Sequence, residues 1–225
     1  EEHRIAAMAE RALAAYDQDQ ARLQRTVVRL QEMFPDDLPL RLSRYRLCRD
    51  HATWEENRAF LEACVACTPS HPVFQSELAG LLSLSDRSAA EAERLYRRCL
   101  RAMPFDAATL EGNADLLWRR REYDAALELY RLAACLQDHN EGRATVYFEA
   151  CRQLNRAEEA LHLLRDAHRR LGAKDAGPTI ALSDALERLD RDNEALALLD
   201  EAIAARPDDG RLLLRRVDAM AARGW

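Results

Sequence analysis

Cysteine, histidine and paired acidic residues are the side chains of this chain that could bind a metal ion or catalyse a reaction. Cys64 and Cys67 have the two-residue spacing that zinc and redox sites use. The sequence has no second such pair, and a position near the C-terminal end of a predicted helix disfavours a thiolate. We therefore interpret all the cysteines as small hydrophobic core residues. They are Cys48, Cys64, Cys67, Cys99, Cys135 and Cys151.

The remaining candidates for chemistry are no stronger. No two of the six histidines are four residues apart, so the helix-borne zinc motif is absent from the sequence. The seven glycines form no phosphate-binding loop. The acid pairs Glu158-Glu159 and Asp208-Asp209 are typical of the first turn of a helix, where they favour the helix dipole. We therefore predict a protein that is not an enzyme and that binds neither a metal ion nor a cofactor.

The composition predicts an all-α fold. Ala, Leu, Arg and Glu dominate the 225 residues, whereas Val, Ile and Thr together number only 15, too few for a sheet. The net charge of −6 comes from 33 basic and 39 acidic residues spread along the whole chain, which is not the pattern of a nucleic-acid-binding tract. Apolar runs are far too short to cross a bilayer.

Free thiols favour a reducing compartment, so we expect a cytoplasmic protein, with the periplasm as the alternative. Lys174 is the single lysine, which suggests a GC-rich, bacterial genome.

A repeat of 34 or 35 residues runs through the sequence. Pro35, Pro69 and Pro104 mark its first three copies, and the same step leads on to Asp138, Gly172 and Pro207. The predicted repeats cover residues 1–35, 36–69, 70–104, 105–138, 139–172 and 173–207, with a partial repeat at 208–225. Each repeat is predicted to contain two short amphipathic helices joined by a small turn.

The clearest copy identifies the kind of repeat. In the copy 105–138, Glu122 to Tyr130 reads EYDAALELY, which resembles the second-helix signature of the tetratricopeptide repeat family. Two positions of that signature recur along the chain: Gly80, Ala114 and Ser183 in first helices, and Ala92, Ala126, Ala160 and Ala195 in second helices. The copy 139–172 has Phe148, and the copy 36–69 has Tyr45 and Asn57, where the family usually has small residues.

The resemblance implies an all-α fold: a right-handed α-solenoid of tandem helix-turn-helix repeats, six plus one partial. We expect a single solenoid over residues 1–225 that is part of a longer protein. Because each hairpin is too small to bury its own apolar face, the small residues should lie buried at helix crossings. They are Ala92, Ala126, Ala133, Ala160, Ala167, Ala195 and Ala202.

The resemblance also implies a binding surface, the concave groove lined by the first helices. We call the residues carried over to this surface the groove face. Its candidate partner-binding residues are Arg46, Arg49, Glu77, Leu81, Glu111, Asp115, Trp118, Arg119, Glu149, Arg152, Asp184, Arg188 and Asp218. Leu42, Leu84, Thr145, Ile180 and Leu214 share the same positions in their repeats.

The charges of the groove face suggest what it could bind. Members of the family that bind chaperone tails hold a C-terminal carboxylate with basic residues and asparagine, whereas here most of the corresponding positions are acidic, which disfavours that ligand. One position is acidic in four consecutive repeats, and we call these residues the acidic ladder: Asp115, Glu149, Asp184 and Asp218. The ladder would suit a basic segment. Alternatively, the local pairs Asp115 with Arg119, Glu149 with Arg152 and Asp184 with Arg188 neutralise it, which is the interpretation we prefer.

Trp118 is either an anchor for a partner or a packing residue between hairpins. We expect a non-catalytic scaffold that binds a protein or peptide, and no nucleic acid, without inserting into a membrane. The alternative is a substrate-recruiting domain of a larger enzyme or secretion protein. The apolar helix near Leu213 and Met220 also allows self-association.

Overall fold

The computed structural model describes residues 11–12 and 15–221. This part of the chain contains twelve complete helices, one 3-10 turn at Asp86–Ser88, and no strand. The first helix predicted for the repeat 1–35 lies largely outside the described residues. The helices are α1 Gln20–Met33, α2 Leu38–Cys48, α3 Trp54–Cys67, α4 Pro72–Ser83, α5 Ala89–Ala102, α6 Ala107–Arg119, α7 Tyr123–Leu136, α8 Glu141–Gln153, α9 Ala157–Leu171, α10 Gly177–Glu187, α11 Asp192–Ala205 and α12 Gly210–Ala221.

Polar side chains fix where several helices begin. The Asp37 and Asp106 carboxylates accept hydrogen bonds from the main-chain N–H groups of Leu40 and Thr109, at 3.0 and 2.9 Å. Thr53 and Glu56 form a capping box at the start of α3. These caps satisfy N–H groups that have no partner inside the helix, and so they set the first residues of these three helices.

The chain folds as two compact units with their boundary between Met103 and Pro104. Unit 1 contains α1 to α5 and unit 2 contains α6 to α12. In each unit, helices that are consecutive in the sequence pack on one another, and in unit 2 the first helices α8 and α10 also pack together. Sequential packing of helical hairpins is the architecture of an all-α solenoid, so the predicted fold class is confirmed.

The small residues of the repeat pattern are buried as predicted. Side-chain exposure is 0% for Ala92, Ala126, Ala160 and Ala195. The alanines at the second small position of the second helix are buried as well: Ala133, Ala167 and Ala202. Phe148 occupies a position where other repeats have a small residue and is nonetheless fully buried in the core of unit 2.

The hairpin turns of unit 2 share one backbone geometry. Arg121, Asn155 and Asp190 have positive φ values of 63°, 58° and 57°. In each turn the next residue donates its N–H to a carbonyl five residues back, as from Glu122 to Leu117 at 3.0 Å. This is a Schellman motif, which ends the first helix and begins the second within three or four residues.

Two hairpin connections of unit 1 are longer, whereas the turn before α1 again has a positive φ, 56° at Gln18. Residues 49–53 join α2 to α3, and residues 84–88, which include the 3-10 turn, join α4 to α5. No residue of these two connections has a positive φ.

Among the described helices, none combines the length and apolar character that a membrane crossing requires.

Candidate functional site

The groove face lies on the first helices, α2 and α4 in unit 1 and α6, α8, α10 and α12 in unit 2. Most of its residues are exposed or half-buried. Ile180 is the exception, since it is 8% exposed and packs in the core with Leu199 and Leu212. Ile180 is therefore unavailable to a partner, in contrast to what its position in the repeat suggests.

In unit 1 the groove face contains one ion pair between successive first helices. The Arg46 Nε and Nη2 atoms of α2 donate to the Glu77 carboxylate of α4, at 3.1 and 2.9 Å. Arg49 lies one turn further along, and its Nε atom is 3.7 Å from the carboxylate of its neighbour Asp50. Leu84 follows the end of α4 and is 69% exposed.

In unit 2 the groove face contains a series of such ion pairs. Glu111 of α6 pairs with Arg143 of α8 at 3.1 Å. Arg188, just after α10, hydrogen-bonds to Glu149 of α8. Arg215 of α12 donates to Asp184 and Glu187 of α10, both at 2.5 Å. Each pair joins one first helix to the next, so the acids that face the groove are largely neutralised from the neighbouring repeat.

This arrangement corrects part of the prediction for the acidic ladder. Glu149 does pair with Arg152, at 2.7 Å. Asp184, however, pairs with Arg215 of the next repeat, while Arg188 turns to Glu149 of the preceding one. The reason is side-chain reach, because an arginine at the end of a short helix lies as close to the adjacent helix as to its own previous turn.

Asp115 has a different partner. Its carboxylate accepts a hydrogen bond from the Tyr130 hydroxyl at 2.6 Å, and Arg119 Nε donates to the Asp115 main-chain carbonyl at 3.3 Å. Burial raises the pKa of Tyr130, and the hydrogen bond to Asp115 raises it further. Asp115 therefore fixes the second helix of its own hairpin. Asp218 is exposed and forms no ion pair with any described residue.

The pKa values of the groove acids Glu111 and Glu149 shift in opposite directions. Burial raises the pKa of Glu111 above its ordinary value, although Arg143 opposes the shift. Burial also acts to raise the pKa of Glu149, but hydrogen bonds from Arg152 and Arg188 outweigh it and leave that pKa below its ordinary value. Glu149 is thus held in its charged form by two guanidinium groups.

Trp118 packs inside its own hairpin. Its ring lies 4.9 Å from the ring of Tyr123 in an edge-on arrangement and 6.3 Å from that of Tyr130. It remains half-buried, so part of the indole still faces the groove. The packing interpretation accounts for its geometry, and a contact with a partner stays a prediction.

The six cysteines are buried, half-buried or exposed, and Cys48 is the half-buried one. Cys64, Cys99 and Cys151 are buried, as expected for small hydrophobic residues, and burial raises the pKa values of the Cys64 and Cys151 thiols. Cys67 and Cys135 are exposed, so the core interpretation is wrong for these two. Cys67 follows the buried Cys64 by three residues in α3, and Cys135 follows the buried Ala133 by two residues in α7. Within residues 11–12 and 15–221, no three His, Cys, Asp or Glu side chains are grouped as a metal site.

The residues that prediction missed are the arginines of the interhelical pairs, Arg143 and Arg215, and the hydroxyl of Tyr130. A signal for the arginines exists in the sequence. Opposite charges recur 31 or 32 residues apart, about one helical turn less than a repeat, as in Arg46 with Glu77 and Asp184 with Arg215. Side chains with that offset lie diagonally across adjacent first helices.

The fold is similar to several solved structures. A thermophilic TPR protein from Thermus thermophilus, TTC0263, has a TM-score of 0.56 and 14% identity over 97% of this chain and 99% of that one. Yeast Tom70 has a TM-score of 0.59 and 17% identity over 89% of this chain and 43% of that one. The MamA protein has a TM-score of 0.51 and 13% identity over 74% and 90% of the two chains. No protein-family model and no curated protein matches the sequence.

Proposed function

We propose that this chain, which has the fold of tetratricopeptide repeat proteins, is a non-catalytic scaffold that binds an extended segment of a partner protein along the groove face. The observation that carries the proposal is the chain of ion pairs between successive first helices. These pairs hold α6, α8, α10 and α12 side by side, and so they support a continuous surface across several repeats. A surface of this kind suits a partner in extended conformation.

The charge of the partner follows from which groove residues are already paired. Glu149 and Asp184 are engaged by arginines, which disfavours the basic segment that the acidic ladder predicts. Asp218 remains as an exposed acid and Arg49 as an exposed base. We therefore propose a partner of mixed composition, and no nucleic acid.

Retention of partner proteins by three forms of the chain tests this proposal. The groove variant carries Arg49→Glu, Arg119→Glu and Asp218→Arg. The matched control carries Arg94→Glu, Arg101→Glu and Glu201→Arg, which change the net charge equally at exposed positions of the second helices α5 and α11. Quantitative mass spectrometry of proteins retained from lysate should show at least a tenfold loss for the groove variant and none for the control. Loss in the control alone would place binding on the second helices and refute the proposal.

Self-association is a second candidate, favoured by one observation on α12. Leu214 and Val217 are 63% and 59% exposed and lie three residues apart on the same face. Light scattering of the chain at two concentrations, with Leu214→Glu and Val217→Glu as the comparison, tests it. A concentration-dependent mass that the two substitutions abolish is the expected result, and a monomer at both concentrations removes this candidate.

The alternative of a substrate-recruiting domain within a larger enzyme or secretion protein concerns sequence outside residues 1–225. The full reading frame distinguishes it from a free-standing scaffold.

A further inference from the structure

The hairpin α2–α3 differs from the others at two repeat positions. The first-helix position that holds Gly80, Ala114, Phe148 or Ser183 in the later hairpins holds Tyr45 here, and the second-helix position that holds Ala92, Ala126, Ala160 or Ala195 holds Asn57, so neither residue is small. Small residues at these positions let two helices approach closely. Tyr45 and Asn57 together require more room, so the two helices of this hairpin cannot close in the same way.

Two cavities flank Tyr45 as a result. Their volumes are about 480 and 450 Å³, and Tyr45, Ala52 and Asn57 line both. The Asn57 side-chain amide donates to the main-chain carbonyls of Arg49 at 2.9 Å and Ala52 at 3.4 Å. These bonds hold the long connection 49–53 in place, and so the opening is a built part of the hairpin.

The second of these cavities lies on the groove face, and we call it the inner cavity. Trp54, Leu81 and Leu84 form its apolar side, and Gly80 leaves room beside them. The Trp54 indole N–H donates to the Leu81 carbonyl at 3.3 Å, which fixes the ring against α4. A fixed indole beside a leucine that is 69% exposed is the kind of surface on which a partner's apolar side chain gains binding energy.

The charges around the inner cavity narrow the choice of partner. Among the described residues that line it, Arg49 is the one cation. Glu77 also lines it, but this carboxylate is engaged by Arg46 at 2.9 Å, and Asp50 is 82% exposed. A basic side chain would meet the Arg49 guanidinium and find no free buried acid, whereas a carboxylate can pair with the terminal nitrogens of Arg49.

We propose that the inner cavity receives one large apolar side chain of a partner segment, with an acidic residue beside it bound by Arg49. This inference rests on the proposed function and adds to it the chemistry of one recognised motif. It concerns a carboxylate within a segment and does not require a chain terminus.

Selection from a displayed library of random twelve-residue peptides tests the motif. The parent chain should enrich peptides in which a leucine, methionine or aromatic residue stands within two residues of an aspartate or glutamate. Enriched peptides, synthesised with blocked ends, should change the tryptophan emission of the parent chain, and Trp54→Phe should remove that change, because that indole lines the cavity.

Three single variants locate the binding. Arg49→Gln and Leu84→Gln should each weaken the enriched peptides at least tenfold, and both positions are exposed enough to leave the fold intact. Arg94→Gln on α5 is the matched control and should change affinity less than twofold. Circular dichroism of all three variants verifies that helix content is equal.

The outcomes separate this inference from the function on which it rests. Peptides without an apolar and acidic pair, or peptides insensitive to Arg49→Gln and Leu84→Gln but lost in the groove variant, overturn the inference and leave the scaffold proposal standing. If the groove variant still binds every enriched peptide, or if no peptide is enriched, both the inference about the inner cavity and the scaffold proposal are overturned.

Discussion

The hairpins α2–α3 of unit 1 and α6–α7 of unit 2 come from the same repeat pattern and pack differently. In α6–α7, Ala114 and Ala126 are fully buried and a three-residue Schellman turn joins the helices. In α2–α3, Tyr45 and Asn57 occupy the equivalent positions, the connection has five residues, and two cavities border the tyrosine. The difference shows that two side chains can convert a closed structural unit into an open one without changing the order of helices.

The groove faces of the two units also differ, in the number and the exposure of their ion pairs. In unit 2 three groove acids, Glu111, Glu149 and Asp184, are paired with arginines of neighbouring repeats, while Asp218 is exposed. In unit 1 one such pair, Arg46 with Glu77, lies beside an exposed leucine and an exposed arginine. Unit 2 therefore has more pairs of this kind and a more enclosed one, since the Arg215 side chain is 14% exposed and that of Arg46 is 56% exposed.

The largest expected loss of stability comes from truncating the two large residues, Tyr45 in unit 1 and Phe148 in unit 2, that stand where other repeats have a small first-helix residue. Phe148→Ala should destabilise unit 2 by about 3–5 kcal/mol, because Phe148 is fully buried in a closed core. Tyr45→Ala should cost about 1–3 kcal/mol in unit 1, because cavities already border that ring. Urea unfolding measures both stability losses, with the fluorescence of Trp118 reporting on unit 2 and that of Trp54 on unit 1. Equal losses would contradict the comparison.

Overpacking a closed hairpin should have the next largest effect. Ala126→Leu should destabilise unit 2 by about 1–3 kcal/mol, since no space surrounds this buried methyl group. Its neighbour Ala125 is exposed on the same helix, so Ala125→Leu is the control and should change stability by less than about 0.5 kcal/mol. The same denaturation experiment applies, and a tolerated leucine at position 126 would show that the crossing has spare volume.

Breaking an interhelical ion pair should distinguish the units more finely. Arg215→Ala should cost about 1–3 kcal/mol, because its side chain is only 14% exposed and binds two carboxylates. Arg46→Ala should cost at most about 1 kcal/mol, because Arg46 is 56% exposed. Thermal unfolding at low and high salt measures both losses, and the loss at Arg46 should shrink with salt. A larger loss of stability for Arg46→Ala than for Arg215→Ala would contradict the conclusion that unit 2 has the stronger interhelical ion pair.

The smallest expected effect is a pH dependence at Glu149. Its folded-state pKa lies below the ordinary value of 4.5, so the charged carboxylate stabilises the fold above pH 4.5. That contribution disappears as the pH falls through the lowered pKa. Glu149→Gln should therefore reduce stability by about 0.5–1 kcal/mol at pH 7 and by progressively less below pH 4.5. Unfolding curves of the parent and the variant across this range should converge at low pH, and a constant gap would refute the charge-based explanation.

Much of the architecture could be predicted because it depends on local and periodic signals. The recurrence of Pro35, Pro69 and Pro104 predicted the helical hairpins, and the recurrence of small residues predicted the burial of Ala92 and Ala126. Part of the candidate site could not be predicted, since it depends on which charged side chains meet across separate helices. The sequence led us to expect Asp184 with Arg188, whereas Asp184 binds Arg215.

The sequence by itself determined the helical composition, the period of the repeat and the small residues that let the helices pack, because these follow from backbone propensity and side-chain volume within one repeat. Tertiary structure decided which charges are neutralised, which cysteines are exposed and where a cavity opens. Those properties depend on distances between side chains of different hairpins. Asp184 shows this, because the sequence favours Arg188, four residues further along the chain, whereas Arg215 of the next first helix binds this carboxylate in the folded protein.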